Sequence, residues 1–369
     1  MKEVSQKVDL EAIRAKNKLS SDFLRKGITI ALFSGLMYGF YSAFLTLGMT
    51  KGVWGDWYGA NTAGLSALVI TYVLGALGSA VNDTCSAVWA MGYAAVKGKL
   101  GDFFRCLKTK PGAVMILAAL IGGPISSTAY VVALKMAGSI VIPITALCPA
   151  IGAILGRILF KQELNKRMML GIVICVLSSF MIGSTSISGD APKGMFFGLC
   201  IAFIAALGWG FEGCVAGYGT SMIDSEIGIT IRQATSGLSN LIILVPIFGM
   251  IFGGGVKSSA GLALQAFTSG PAMIWFALSG LCAFVSYMSW YNGNSMCGAA
   301  LGMACNGTFS FWGPFCCWIV LGIISGMDGW SLPPIVWIAA VTMMFGILVI
   351  AMNPLDLFRK KEVGANEAA

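Results

Sequence analysis

Few groups able to do chemistry fall inside the apolar stretches of this chain, and three of them stand out. Glu212 stands in Trp209-Gly-Phe-Glu-Gly213, Asp83 follows Asn82, and Arg232 precedes Gln233. An ionisable side chain within a bilayer is expensive, and by default it marks a substrate or ion path. Glu212 is the sharpest of the three, because a buried carboxyl suits proton coupling or capture of a substrate cation. The alternative is an interhelical hydrogen bond or ion pair, with Arg232 as the partner. Asp83 and Asn82 either line a cavity or cap a helix. Arg232 either anchors an anion, acts as an internal counter-ion or snorkels to the headgroups. Glu212, Asp83 and Arg232 are the coupling candidates.

Other chemistries are excluded by what the sequence lacks. It has no histidine, so the commonest general base, proton shuttle and metal ligand is missing. The 11 cysteines contain no C-x-x-C pair and read as small apolar packers. No G-x-x-x-x-G-K-[ST] motif occurs, so ATP binding by that route is out. The chain is therefore expected to be no enzyme and to need neither cofactor nor metal. What remains are aromatic and amide groups. Tyr38, Tyr41, Trp209, Asn240 and Asn306 fall deep in the apolar stretches and, with Glu212, form the candidate substrate site. Aromatic faces with hydroxyl and amide donors suit an uncharged polyol, a sugar or an amine, although packing accounts for the same residues. Tyr287 to Asn294 reads as the cytoplasmic end of a helix, where aromatic residues form interfacial belts.

These residues must be held by membrane helices. The sequence is 57% hydrophobic and 11% charged, with a mean hydropathy of +0.82, against about 25% charged residues in soluble domains. Apolar stretches run over about 27–49, 62–96, 113–134, 139–160, 168–186, 194–218, 227–252, 271–292, 297–325 and 332–352. Each meets the roughly 20 residues a crossing needs, and backbone in lipid must be bonded internally, which selects helices. With the N-terminus inside, all of the 24 basic residues except Lys51, Lys135, Lys193 and Lys257 fall on one side. That bias places both termini in the cytoplasm. The net charge of +8 thus reflects topology and does not imply nucleic-acid binding. Residues 62–96 are too long for one straight crossing, and a break is expected near Asn82-Asp83-Thr84. Residues 1–26 carry no signal-peptide pattern and form a cytoplasmic segment, either a short amphipathic helix or disordered. Residues 353–369 form a cytoplasmic tail.

The two halves repeat. An offset of 173 residues lays Thr62–Ile70 over Thr235–Ile243, most positions being identical or similar, and an offset of 171 lays Tyr38-Gly-Phe40 over Trp209-Gly-Phe211. Five helices per half invert the second copy, as in transporters that bind at the mid-plane. Gly35-x3-Gly39, Gly152-x3-Gly156, Gly213-x3-Gly217 and similar spacings allow close helix contact. Pro124, Pro143, Pro149, Pro246 and Pro314 loosen helices. The fold expected is an all-α membrane protein of ten transmembrane helices, built as two inverted five-helix repeats over 27–186 and 194–352.

Ser127-Thr-Ala-Tyr-Val-Val-Ala-Leu-Lys135, Pro149, Phe160-Lys-Gln-Glu163-Leu and Gly171 resemble the EamA repeat of the drug/metabolite transporter (DMT) superfamily. The turn departs from that family's Gly-Glu-Arg-Leu-like consensus while keeping its glutamate, Glu163. In the second half, Gly313-Pro314, Asp328 and Gly346 can be laid over the same features. The resemblance implies a permease that moves a small organic metabolite by alternating access. A sugar, polyol, amino acid or amine is the expected substrate, and protons or another ion the expected coupling partner. The protein would sit as a monomer or homodimer in the bilayer, in the bacterial cytoplasmic (inner) membrane. Glu163, in a basic cytoplasmic turn, is expected to be structural. The alternative is a non-transporting membrane sensor or scaffold, which would tolerate apolar replacement of Glu212.

Overall fold

The computed structural model describes residues 2–59, 64–161, 164–185, 194–220, 222–297 and 299–351, and every regular element among them is helical. The longer helical runs are α1 (Lys2–Gly48), α2 (69–96), α3 (110–137), α4 (141–160), α5 (Lys166–Ser184), α6 (Met195–Thr220), α7 (Ser225–Phe252), α8 (Gly270–Cys297), α9 (299–324) and α10 (Pro334–Ala351). Short helices at Val53–Tyr58, Leu100–Cys106 and Gly255–Thr268 fill three connections. Five stretches are long and apolar enough to cross a membrane, namely Asp22–Gly48, Lys110–Thr145, Met195–Gly217, Ser225–Phe252 and Gly270–Met296. The outer face of α5 exposes Leu170, Val173, Leu177 and Phe180 at helical spacing. Such a stripe suits lipid and not water.

Local chemistry sets the ends and irregularities of these helices. Thr109 caps α3 by accepting from the Gly112 N–H, with Pro111 in the first turn where its missing N–H does no harm. Gly138, at φ 68°, ends α3 in a conformation only glycine adopts freely. Lys161, at φ 55°, ends α4 in the left-handed region. Four runs contain a π-helical turn: Val69–Val73 in α2, Ile121–Ser127 in α3, Asn240–Leu244 in α7 and Trp318–Ile324 in α9. In α3 the cause is visible. Pro124 cannot donate, and Ser126 and Ser127 instead donate to the carbonyls of Ile121 and Gly122, five residues back. In α7, Pro246 follows the π turn and does not lie inside it.

Packing pairs the helices reciprocally. α1 lies along α8 and against α9, while α6 lies along α3 and against α4. α2 and α7 run antiparallel, with Tyr72 stacked on Phe252 at one end and Asp83 beside Gly237 further along. α5 packs on α10 through glycines: a Cβ on Gly171 would lie 2.7 Å from the Gly346 carbonyl, and one on Gly346 would lie 2.8 Å from Cys175 Sγ. Glycine thus sets close approach where no hydrophobic drive exists.

Two expectations are corrected here. Asn82-Asp83-Thr84 does not break α2; it lies within the helix Leu74–Val96, where Asn82 and Asp83 are buried by neighbouring helices. The irregularity is the π turn at Val69–Val73. The segment 1–26 is not a separate short helix either, since α1 continues unbroken from Lys2 into the first apolar stretch. Glu163, Lys193 and the tail 353–369 lie outside the described residues.

Candidate functional site

Glu212 and Trp209 sit three residues apart on one face of α6. The Glu212 carboxylate meets Arg232 of α7, whose Nε donates to Oε1 at 2.7 Å and Nη2 to Oε2 at 3.3 Å. Both side chains are fully buried. Arg232 also donates through Nη1 to Gln233 Oε1 (2.8 Å) and through Nη2 to Tyr287 Oη (2.9 Å). Its guanidinium lies 3.9 Å from the centre of the Tyr287 ring. Room for the carboxylate comes from Gly122 in the π turn of α3, where any Cβ would overlap it. Of the alternatives open for Arg232, the structure has the internal counter-ion; no snorkelling occurs.

Asp83 heads a second buried cluster. Its carboxylate accepts from Ser236 Oγ, from Asn240 Nδ2 at 2.8 Å and from Asn82 Nδ2 at 3.3 Å. Asn240 reaches Ser79 and accepts from Thr128, both at 3.4 Å. Ser279 of α8 donates to Asn82 Oδ1 (2.6 Å) and stands 3.0 Å from the Tyr41 carbonyl. The cluster therefore joins α1, α2, α3, α7 and α8. A buried polar group needs such partners, because leaving one unmade costs about 1–3 kcal/mol.

Between α1, α4, α6, α8 and α9 lies a small cavity of about 20 Å³, lined by Tyr38, Cys148, Trp209, Ser286, Tyr287, Trp290, Asn306 and Phe309. That is room for a water and not for a metabolite. Tyr38 stacks on Phe309 (4.2 Å between ring centres) and meets Trp209 edge-on (5.9 Å). Trp209 Nε1 donates to the Gly122 carbonyl, and Asn306 accepts from Ser34. Trp290 Nε1 is buried and has no hydrogen-bond partner among the described residues.

Of the six candidate substrate residues, Tyr38, Trp209 and Asn306 line this cavity. Tyr41 packs edge-on against Tyr38 behind it (5.2 Å), Asn240 belongs to the Asp83 cluster, and Glu212 faces Arg232. Glu212, which the offset of 171 lays over Tyr41 and which was expected to face Tyr38 and Tyr41, does not line this cavity: it shares a face of α6 with Trp209, but the Arg232 guanidinium holds its carboxylate in the space that Gly122 leaves. The belt assignment for Tyr287 to Asn294 is corrected as well: Tyr287, Trp290 and Tyr291 are buried against other helices. Ser286, Tyr287 and Trp290 share a face of α8 by their spacing, and that signal was readable.

One charged cluster lies at the end where α2 stops and α7 starts. Lys99 Nζ contacts Asp224 Oδ2 (3.0 Å) and Glu226 Oε2 (2.5 Å), and Tyr93 donates to Glu226 (2.9 Å). Asp224 is also the N-cap of α7, accepting from the Glu226 and Ile227 N–H groups. Partial burial opposes its charge, but Lys99 and those N–H groups outweigh burial and hold the carboxyl below its ordinary value. The hydrogen bond to Glu226, against partial burial, holds Lys99 above the usual lysine value. A depressed carboxyl stabilises above its unfolded pKa and loses the effect as pH falls through the folded one. A raised lysine stabilises below its unfolded pKa and loses the effect as pH rises through the folded one. The cluster is thus intact around neutrality and released at both extremes. Asp224→Ala is expected to cost roughly 1 kcal/mol at neutral pH, and less in acid; an unfolding midpoint equally lowered at both pH values would contradict this.

The fold and buried polar clusters define an all-helical protein with several helices apolar enough to span a membrane. No family model matches the chain, and no curated protein matches it. A crystal structure described only as a protein is similar, at TM-score 0.49 and 15% identity, over 88% of this chain and 96% of that one.

Proposed function

We propose that the chain is a secondary transporter of the drug/metabolite type, with ten crossings in two inverted five-helix repeats and both termini cytoplasmic. The reciprocal packing supports the repeat. Gly39 of α1 closes on Trp312 and Cys316 of α9, and Gly210 of α6, offset by 171 residues, closes on Cys148 and Ile151 of α4. The π turns Val69–Val73 and Asn240–Leu244 carry the same offset of 171.

The observation that carries the function is the cavity. Its walls come from both halves, and it combines aromatic faces with an indole N–H that has no partner among the described residues. Such a lining fits a small, polar, largely uncharged metabolite such as a sugar, polyol, amino acid or amine. At this size the cavity admits no metabolite, and rocking of the halves about α1 and α6 widens it to one side at a time.

Thermal-shift screening of the purified protein against those four classes tests the reading, since a ligand of the native state raises apparent stability. Proteoliposomes then take up the compound found, and Tyr38→Ala or Trp290→Ala weakens uptake at unchanged expression. Uptake unaffected by both substitutions would overturn the site. Absence of uptake for every compound that shifts stability would favour a sensor or scaffold.

A further inference from the structure

Among the described residues, the buried charged side chains do not balance. Glu212, Asp83 and Arg232 offer two carboxyls and one guanidinium, all within the helix bundle. The guanidinium is committed in bidentate fashion to Glu212, and among the described residues no cation lies within ion-pair distance of Asp83. One proton brings the set to neutrality. We infer that Asp83 carries the coupling proton and that Glu212 and Arg232 form a fixed ion pair beside it.

The hydrogen bonds of Asp83 suit that role. All its partners are neutral donors, so a proton can arrive without breaking an ion pair. Ser236 donates to the ionised form. When Asp83 is protonated, its new O–H donates to Ser236 Oγ, and the serine hydroxyl turns to the carbonyl one turn back. Ser42 and Ser178 already bond in that manner. Loading forms one Oδ–H bond with a proton from water on one side, and release breaks it toward the other side, with nothing oxidised or reduced. The ionisable groups near enough to act on Asp83 are Arg232 from α7, Tyr41 from α1, Tyr287 from α8 and Cys85 on its own helix, with Glu212 of α6 beyond Arg232. Asp83 also sits where α2 packs on α7: a Cβ on Gly237 would lie 3.0 Å from its carbonyl. Opening that seam exposes it.

The inference rests on the transport reading, but its first test does not need a substrate. Infrared spectra of the purified full chain, recorded across a pH titration, are expected to show one carboxylic C=O band of a buried acid, resolved from the bands of the exposed Asp and Glu side chains, that appears on acidification. Asp83→Asn removes the band, and Asp83→Glu keeps it at a shifted position. A spectrum with no such band, or a band kept in Asp83→Asn, overturns the assignment. Size-exclusion profiles matched to wild type exclude misfolding, and Asp83→Glu covers a failure of Asp83→Asn to fold. In proteoliposomes, a one-unit pH gradient is expected to drive roughly tenfold accumulation of the transported compound. Asp83→Asn reduces this to equilibration while exchange persists. Uphill accumulation retained in Asp83→Asn, or driven by sodium at zero pH gradient, removes the proton role. Lack of any uptake by wild type defeats the transport reading instead, and the infrared assignment is judged on its own result.

Discussion

Arg232→Met is expected to lower stability by about 3–5 kcal/mol, because it leaves the Glu212 carboxylate buried and without a cation. Both side chains are fully buried, the carboxylate accepts two of the guanidinium's hydrogen bonds, and Gln233 and Tyr287 lose their partner at the same time. The damage lies in the orphaned charge more than in the lost attraction. Arg232→Met combined with Glu212→Leu should therefore recover most of the loss, since an apolar pair of similar volume is often neutral relative to a buried ion pair. The measurement is reversible unfolding in detergent for both singles and the double. A double variant as unstable as Arg232→Met would show that the pair is not the unit assumed here.

Gly122→Ala is expected to destabilise by about 1–3 kcal/mol through overpacking, although alanine normally improves a helix. The added methyl meets the Glu212 carboxylate, and α3 is held there by the Trp209 indole bonded to the Gly122 carbonyl. Neighbours that share a contact are not additive. Glu212→Ala should shrink the penalty of Gly122→Ala, because it removes the group the methyl strikes. Equal penalties in both backgrounds would place the clash elsewhere.

Hydropathy made the helices legible, because a membrane helix must be apolar over its length whatever it packs against. The face of each helix was harder. The repeat aligned Tyr38 with Trp209 and put both at the cavity, yet three residues further Glu212 turns away to Arg232. Which partner a carboxylate takes depends on which helices are packed beside it, and that is a tertiary fact. Asn82-Asp83-Thr84 looked like a cap because polar triplets usually end helices. Here Ser236, Asn240 and Ser279 from other helices satisfy it, so α2 continues. The aromatic residues of α8 looked interfacial by position in the chain, but α1 covers them. Pro124 and Pro246 signalled irregularity without saying that it would be a π turn, and the one in α2 contains no proline.

The wide turns have a mechanical meaning. Each contains more residues per turn than the α-helix around it, so it is a reserve of slack in an otherwise taut rod. If that slack migrates along the helix by one position, the stretch it passes is rewound by about 100° per residue while both ends keep their place. A screw of this kind needs no sliding of one helix past another and no break in the glycine contacts at the ends. In α3 it would swing Gly122 away from the carboxylate it accommodates; in α7 it would swing Asn240 away from Asp83. The same kind of rotation therefore reaches both buried acids, which makes the wide turns the gears through which the two clusters can be geared together.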